Sequence, residues 1–377
     1  MSDSKNSKLK EFIFGTQNIG SLIPGFLLGI VVMLVSIILT KWLGELLPYE
    51  KNPLSVVLVA IIVGLLLRNL IRLPASFEPG IKFGIKKLLR FGIILMGIRL
   101  SVFAVIKIGA LAVGLVVVCI AAALFITISI ANRLGVSEKL ATLIAAGTSI
   151  CGVSAIVATA PVIEAKEEEI AYAVGTITIF GLLATILYPY LVELVLHLSV
   201  AQAGFFLGTA VHDTSQVTAT ALIYDQLWGL RTGSGFSGAD IAITTKLVRN
   251  TFMAFVIPFL GYWSRKRNNV ADPGVKVSIM KYVPFFVFGY ICMGIIRSVG
   301  DFAFGAEAEA WYSVWHFIKT AAVYVIATAI ACVGLNTNIK KMIKLSYKPF
   351  VTGLIAAVSV GLVSFGLVTL FAKYLHF

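Results

Sequence analysis

Charge is scarce in this sequence, and acid is scarcer than base. Asp, Glu, Lys and Arg make up 13% of the 377 residues, against about 25% in a soluble domain. The 31 Lys and Arg outnumber the 18 Asp and Glu. Such a chain cannot cover a water-facing surface. With 59% hydrophobic residues and a mean hydropathy of +0.96 it reads as an integral membrane protein.

Cysteine and histidine are scarce too. Cys119, Cys151, Cys292 and Cys332 lie scattered in apolar runs with no CxxC and no Cys/His ligand spacing. That excludes a disulfide framework and a zinc site. Absence of a P-loop excludes ATP drive within this chain. There is no GxSxG elbow and no HExxH pair, so hydrolase chemistry lacks its usual signatures. No cofactor and no metal are expected, and the chain is not expected to be an enzyme. No polar stretch is long enough for a separate soluble domain, so one transmembrane domain over 1–377 is expected. The N-terminal segment 1–20 is polar and lysine-bearing, and no small-x-small site follows the first apolar run. A cleavable signal is therefore not expected.

What the chain has is long hydrophobic runs: 23–43, 52–71, 88–106, 108–132, 139–163, 170–196, 202–223, 240–263, 282–300, 312–335 and 349–375. Each is near the ~20 residues that a spanning helix needs. The formal charge of +13 would suit nucleic acid if it formed one patch, but it does not. The bases concentrate in alternate loops: Lys5, Lys8 and Lys10; Arg68 to Arg90; Arg133 and Lys139; Arg265 to Lys281; Lys340 to Lys348. This positive-inside pattern predicts a cytoplasmic N-terminus and a periplasmic or extracellular C-terminus, and sets nucleic acid aside.

Two runs carry polar interruptions. One reads Gly147-Thr148-Ser149-Ile150-Cys151-Gly152-Val153-Ser154; the other reads Gly208-Thr209-Ala210-Val211-His212-Asp213-Thr214-Ser215-Gln216. Loosened backbone at membrane depth survives only against protein or a wet cavity. In carriers such helix breaks face a solute near the midplane. The fold expected is an all-α polytopic membrane protein of about 11 segments with interrupted helices. The alternative is nine spans plus two re-entrant hairpins entering from opposite faces. Both keep the strongly basic loops on one side.

Internal similarity points to inverted repeats, drawn at about 21–165 and 200–377. Gly97-Ile98-Arg99-Leu100-Ser101 and Gly334-Leu335-Asn336-Thr337-Asn338 each end an apolar run, with Lys107 and Lys344 at the same offset. Gly147-Thr148 aligns with Gly208-Thr209, and Ser154 with Ser215.

Three clusters are candidates for binding an anion. Gly147, Thr148, Ser149, Cys151, Gly152 and Ser154 combine backbone freedom with hydrogen-bonding groups, although small residues also serve plain helix packing. His212 and Asp213, followed by Thr214, Ser215 and Gln216, place an imidazole and a carboxylate where each costs a few kcal/mol unless paired or solvated. Lys246, Arg249 and Asn250, at i, i+3 and i+4, share one helix face. Counted from Asp240, Arg249 lies ~14 Å along its helix, near mid-membrane. Asp213 is expected to offset one of these two cations, leaving one positive charge and the planar Arg249 fork for an oxyanion. Arg99, Lys107, Arg297, His316 and Lys319 read as structural or interfacial.

The GTSICG and SAIVATAP strings, HDTSQVTA and KLVRN together resemble YeiH-type membrane proteins, the family labelled sulfate exporters, over nearly the whole chain. Leu95-Met96-Gly97-Ile98-Arg99-Leu100-Ser101 is similar to a signature of bile-acid-type symporters. The resemblance implies a bacterial inner-membrane carrier with two inverted repeats. It implies a core of crossing interrupted helices and a flatter scaffold. The second interruption, ahead of the last four runs, departs from that pattern. The expected function is secondary active transport, in the export direction, of a small oxyanion such as sulfate, sulfite or a sulfonate, coupled to protons or another ion. The alternatives are an anion channel and an intramembrane enzyme. The expected partners are a small inorganic or organic anion and the lipid bilayer; a homodimer stays open.

Overall fold

The computed structural model describes residues 19–46, 55–233, 235–267, 285–305, 308–339, 347–371 and 374. Most of the N-terminal segment, and the basic positions Lys276, Lys281, Lys340, Lys341 and Lys344, lie outside the described residues. The described chain is helical, with a single isolated bridge between Arg231 and Ser237. Six helices among the described residues are long and apolar enough to cross a membrane.

The chain forms two compact units, 1–102 with 286–340 and 103–285 with 341–377. The first unit contains α1 (Ile23–Leu46), α2 (Val56–Leu70) and α3 (Glu78–Phe83), which continues through a π turn at Gly84–Leu88 into α4 (Leu89–Met96). The second unit begins with α5 (Val102–Arg133), α6 (Glu138–Ser149), α7 (Val153–Thr159), α8 (Glu167–Tyr190), α9 (Val200–Ala210) and α10 (Thr214–Trp228). It continues with α11 (Gly238–Thr251) and α12 (Met253–Arg267). Then α13 (Phe286–Phe304) and α14 (Glu309–Asn336) return to the first unit, and α15 (Tyr347–Leu370) closes the second.

In the first unit glycine sets the packing. A Cβ on Gly64 of α2 would lie 2.6 Å from the Ala331 carbonyl oxygen of α14, and one on Gly334 would lie 2.5 Å from that of Ile61. The two backbones touch because neither residue has a side chain. Asn69 secures the end of this contact, donating to Thr337 O at 3.0 Å and accepting from Ile339 N at 2.8 Å. At the other end of α14, Arg297 pairs with Asp301 at 2.8 Å and lies 4.0 Å over the Trp315 ring. Arg297 therefore stands in a structural pair, as its place near a run's end suggests.

The second unit decides what the interrupted runs are. Helix α6 starts behind Ser137, whose hydroxyl caps Leu140 N and donates to Glu169 Oε1 at 2.7 Å. It runs inward to Ser149, reverses at Ile150–Gly152, and comes back as α7. Lys139 at the start donates to Glu164 O at 2.7 Å after the return. Both ends of 138–163 thus lie beside the start of α8. Gly152, at φ +66°, makes the reversal, since L side chains avoid that region.

The second interruption folds back the same way from the other end. Helix α9 begins at the Ser199–Gln202 capping box, just beyond the C-terminal end of α8. After the break at Val211–Asp213, α10 returns there: Tyr224 donates to Glu193 Oε2 at 3.1 Å, and Trp228 packs 5.7 Å from Tyr190. Since α8 separates the two entry points, the hairpins enter the unit from opposite ends. Each interrupted run is thus a hairpin that returns to the end where it began. The through-running, crossing interrupted helices implied by the resemblance are replaced by hairpins whose tips meet. Short helices of 12 and 7 residues in the first hairpin are too short to run through, and a three-residue break turns each chain back on itself.

The same parts recur in both hairpins. Thr148 back-bonds to Ile144 O at 3.0 Å and meets Thr127 of α5 at 3.3 Å; Thr209 back-bonds to Phe205 O at 2.7 Å and meets Ser364 of α15 at 2.6 Å. Gly147 packs on Ile177 of the helix that follows its hairpin, and Gly208 on Thr245 of the helix that follows its own. The two Gly-Thr pairs thus occupy like places in the two hairpins, each packed on the helix that follows.

Candidate functional site

The hairpin tips meet at the middle of the second unit, on α11. The first half-helices α6 and α9 end there with unpaired main-chain carbonyls, since the last four C=O groups of a helix have no partner within it. Two side chains of α11 take them up. Lys246 Nζ donates to Ile150 O at 2.8 Å, to Val211 O at 3.1 Å and to His212 O. Arg249 donates from Nε to Ser149 O at 2.8 Å and from Nη1 to Thr209 O at 2.6 Å and Val211 O at 3.3 Å; its Nη2 reaches Thr148 O. Each cation therefore holds both tips at once.

The electrostatics follow from helix polarity. A helix C-terminus carries roughly −0.5 charge, so two of them aimed at one place stabilise a cation there. Lys246 is 1% exposed and Arg249 is 0% exposed, and a bare charge so buried costs several kcal/mol unless compensated. Here the compensation comes from main-chain carbonyls. The ammonium has three N–H donors and three carbonyl acceptors, so it is saturated.

Asp213 makes no hydrogen bond to either cation, although it is close enough to Lys246 for the two charges to act on each other. Its carboxylate Oδ1 accepts from Ser215 N at 2.8 Å and from Ser215 Oγ at 2.6 Å, while Gln216 Oε1 accepts from Asp213 N at 3.2 Å. This is a capping box at the start of α10, where a negative charge is favoured by the helix dipole. Lys246 and Arg249 are bonded to helix ends, and Asp213 caps the helix that it starts. The reason is local: an Asp two residues before a Ser N–H has a nearer partner than any side chain on another element.

The remaining candidates divide by exposure. Gly147, Thr148, Ser149, Cys151 and Gly152 are buried in the first tip, with Cys151 Sγ 3.1 Å from Met253 Sδ. His212, Ser215 and Gln216 are buried in the second; Gln216 Nε2 also donates to Thr178 O at 3.4 Å. Ser154 is exposed, and Asp213 and Thr214 are half-buried. Asn250, on the same face of α11 as Lys246, donates from Nδ2 to Thr214 Oγ1 at 3.1 Å. The site thus has two sides. Behind the tips sit Lys246, with all its donors used, and Arg249, with four of its five N–H groups bonded. Asp213 and Thr214 lie half-buried at the second tip with Asn250 beside Thr214, and Ser154 is exposed two residues past Gly152 in the first. Thr127 and Ser364, which brace the tips, carry no signal in the sequence beyond being hydroxyls in apolar runs.

Comparison with other proteins gives the family. The family described as "conserved hypothetical protein 698" matches residues 24–353. A UPF0324 membrane protein of Fusobacterium nucleatum subsp. nucleatum is 34% identical over 346 residues, covering 89% of this chain and 96% of the relative. A Bacillus cereus UPF0324 membrane protein is 34% identical over 344 residues, covering 91% and 94%. One from Streptococcus pneumoniae is 33% identical over 343 residues, covering 91% and 96%. No solved structure matches. The relatives are named as membrane proteins, and the chain itself is an all-α, multi-pass membrane protein. It belongs to the UPF0324 membrane protein family, to which the YeiH-type resemblance of its motifs also leads.

Proposed function

We propose that this protein is a secondary active carrier of a small anion, with the two hairpin tips as its translocation site. The observation that carries the reading is the meeting of two oppositely directed hairpins on a buried Lys246/Arg249 pair. Discontinuous helices at the interface of inverted elements are how carriers place a solute near the membrane midplane. Lys246 and Arg249 bring two positive charges and Asp213 one negative, so the site carries about one net positive charge that favours an anion. The anion would rest in front of the tips, at Ser154 and Thr214, because the donors of Lys246 and most of those of Arg249 already serve carbonyls.

In this reading the membrane topology is nine spans with two re-entrant hairpins. The N-terminus is cytoplasmic, the C-terminus lies on the opposite face, and the membrane is the bacterial inner membrane. Sulfate, sulfite and sulfonates are the first anions to try, with export as the direction. The channel reading is the second choice, because the buried charged side chains Lys246 and Arg249 stand together at the hairpin tips among the described residues. An intramembrane enzyme would need a nucleophile paired with a base; Ser149 donates to a main-chain carbonyl, and the Ser215–Asp213 pair serves a helix cap.

The experiment is counterflow in proteoliposomes. Vesicles loaded with unlabelled anion should accumulate labelled anion transiently, with a rate that saturates. A rate that rises linearly with concentration, without counterflow, would point to a channel. Absence of flux for sulfate, sulfite, thiosulfate, sulfonates and carboxylates alike would end the anion reading.

A further inference from the structure

At the hairpin junction most donors of the two cations are engaged on carbonyls, while a buried amide oxygen stays open. Behind the tips Lys246 has no donor left, and Arg249 uses Nε and both Nη atoms on carbonyls. In front, Asn250 is 2% exposed, and its Nδ2 is held by Thr214 Oγ1 at 3.1 Å. The other atom of the same amide, Oδ1, is buried with no hydrogen-bond partner among the described residues. Asp213 receives both bonds from Ser215 on Oδ1, and its second oxygen borders Gly152 at the half-buried tip. Beside Thr214 a buried acceptor, Asn250 Oδ1, is therefore left open.

A bare oxyanion has only acceptors and cannot satisfy such atoms. A buried acceptor left unpaired costs about 1–3 kcal/mol, so a ligand that supplies the missing donor is favoured over one that does not. Meanwhile the hydroxyls of Thr214 and Ser154 can turn their hydrogens toward an oxyanion head. One ligand chemistry meets both demands: a small monoanion whose acidic group is joined to a hydroxyl or amino group.

We infer that the carrier's substrate is a donor-bearing anion, such as a hydroxy- or amino-substituted sulfonate or carboxylate. Asn250 Oδ1 receives its O–H or N–H, Thr214 and Ser154 bind its oxyanion, and Lys246 and Arg249 position the tips without touching it. The inference rests on the carrier reading above and narrows its substrate class away from bare dianions.

The test uses pairs matched in charge and heavy-atom count. Binding of 2-hydroxyethanesulfonate against propane-1-sulfonate, and of 3-hydroxypropionate against butyrate, is measured by calorimetry on the full-length protein in nanodiscs. Sulfate is the dianion control. The hydroxy member of each pair is expected to bind at least tenfold more tightly. Asn250→Leu should bring that ratio close to one. Asn250→Asp, with acceptors at both positions, should preserve the ratio even if both affinities fall. This second variant keeps the test decisive if Asn250→Leu fails to fold. Equal affinities within the pairs, or sulfate binding best, would overturn the inference and leave the anion carrier standing. Loss of the ratio in Asn250→Asp would assign the amide a donor role and overturn it too. Failure of every anion to bind would remove both readings.

Discussion

Gly152 lies against Asp213: a Cβ added at 152 would fall 2.9 Å from the Asp213 Cβ and carboxylate oxygen, and 3.0 Å from its Cα. The contact joins the two hairpin tips at the point where each chain reverses. Gly152 is constrained twice, by this approach and by its φ of +66°.

Gly152→Ala should therefore lower stability by about 1–3 kcal/mol, from left-handed backbone strain and from displacement of Asp213. A thermal-unfolding curve of the purified protein should show a lower Tm, and anion counterflow should fall with it. An unchanged Tm would mean that the tips do not meet as described. Gly114→Ala, where an added Cβ meets nothing within 4 Å, is the matched control.

Lys246→Met should act on folding before it acts on binding. It leaves the carbonyls of Ile150, Val211 and His212 facing a methyl group, and removing one member of a buried charge constellation costs about 3–5 kcal/mol. Arg249→Lys keeps the charge but cannot span four carbonyls on two tips. It should also lower Tm, by less. Normal Tm with lost anion binding in either variant would show that the cation contacts the substrate directly.

Topology is open to cysteine scanning. In a cysteine-free background, Val136→Cys and Lys166→Cys should react with an impermeant thiol reagent from the same face of the membrane. His197→Cys and Leu230→Cys should react from the other. Positions 136 and 166 flank the first hairpin, and 197 and 230 flank the second. If 136 and 166 label from opposite faces, the segment 138–163 runs through and the count returns to eleven spans.

Accessibility should separate the two sides of the site. Ser154→Cys should react with a small charged thiol reagent, and bound substrate should slow that reaction. Thr148→Cys and Thr209→Cys, buried beside Arg249, should stay unreactive. Protection of Thr209→Cys but not of Ser154→Cys would put the substrate behind the tips.

The sequence by itself determined the solvent of this protein, its helical class, most of its apolar runs and the two polar interruptions; it missed Glu78–Phe83, cut Val102–Arg133 at 107 and did not mark the break at Phe252. What it determined is local. Run length against bilayer thickness, glycine and hydroxyl content, and loop charge need no partner to be read. It also put Lys246, Arg249 and Asn250 on one face, because helical spacing is local too.

Only the tertiary structure decided that the breaks are hairpin tips, for a three-residue loop can carry a helix onward or turn it back. The choice was made by contacts distant in sequence, Ser137 with Glu169 and Tyr224 with Glu193. It decided as well what the two cations hold. Side-chain pairing was the natural expectation, since charged side chains are what a sequence displays. Main-chain carbonyls are present at every residue and so mark none. They become acceptors only where a helix ends inside the protein, and that is why the partners of Lys246 and Arg249 could not be read in advance.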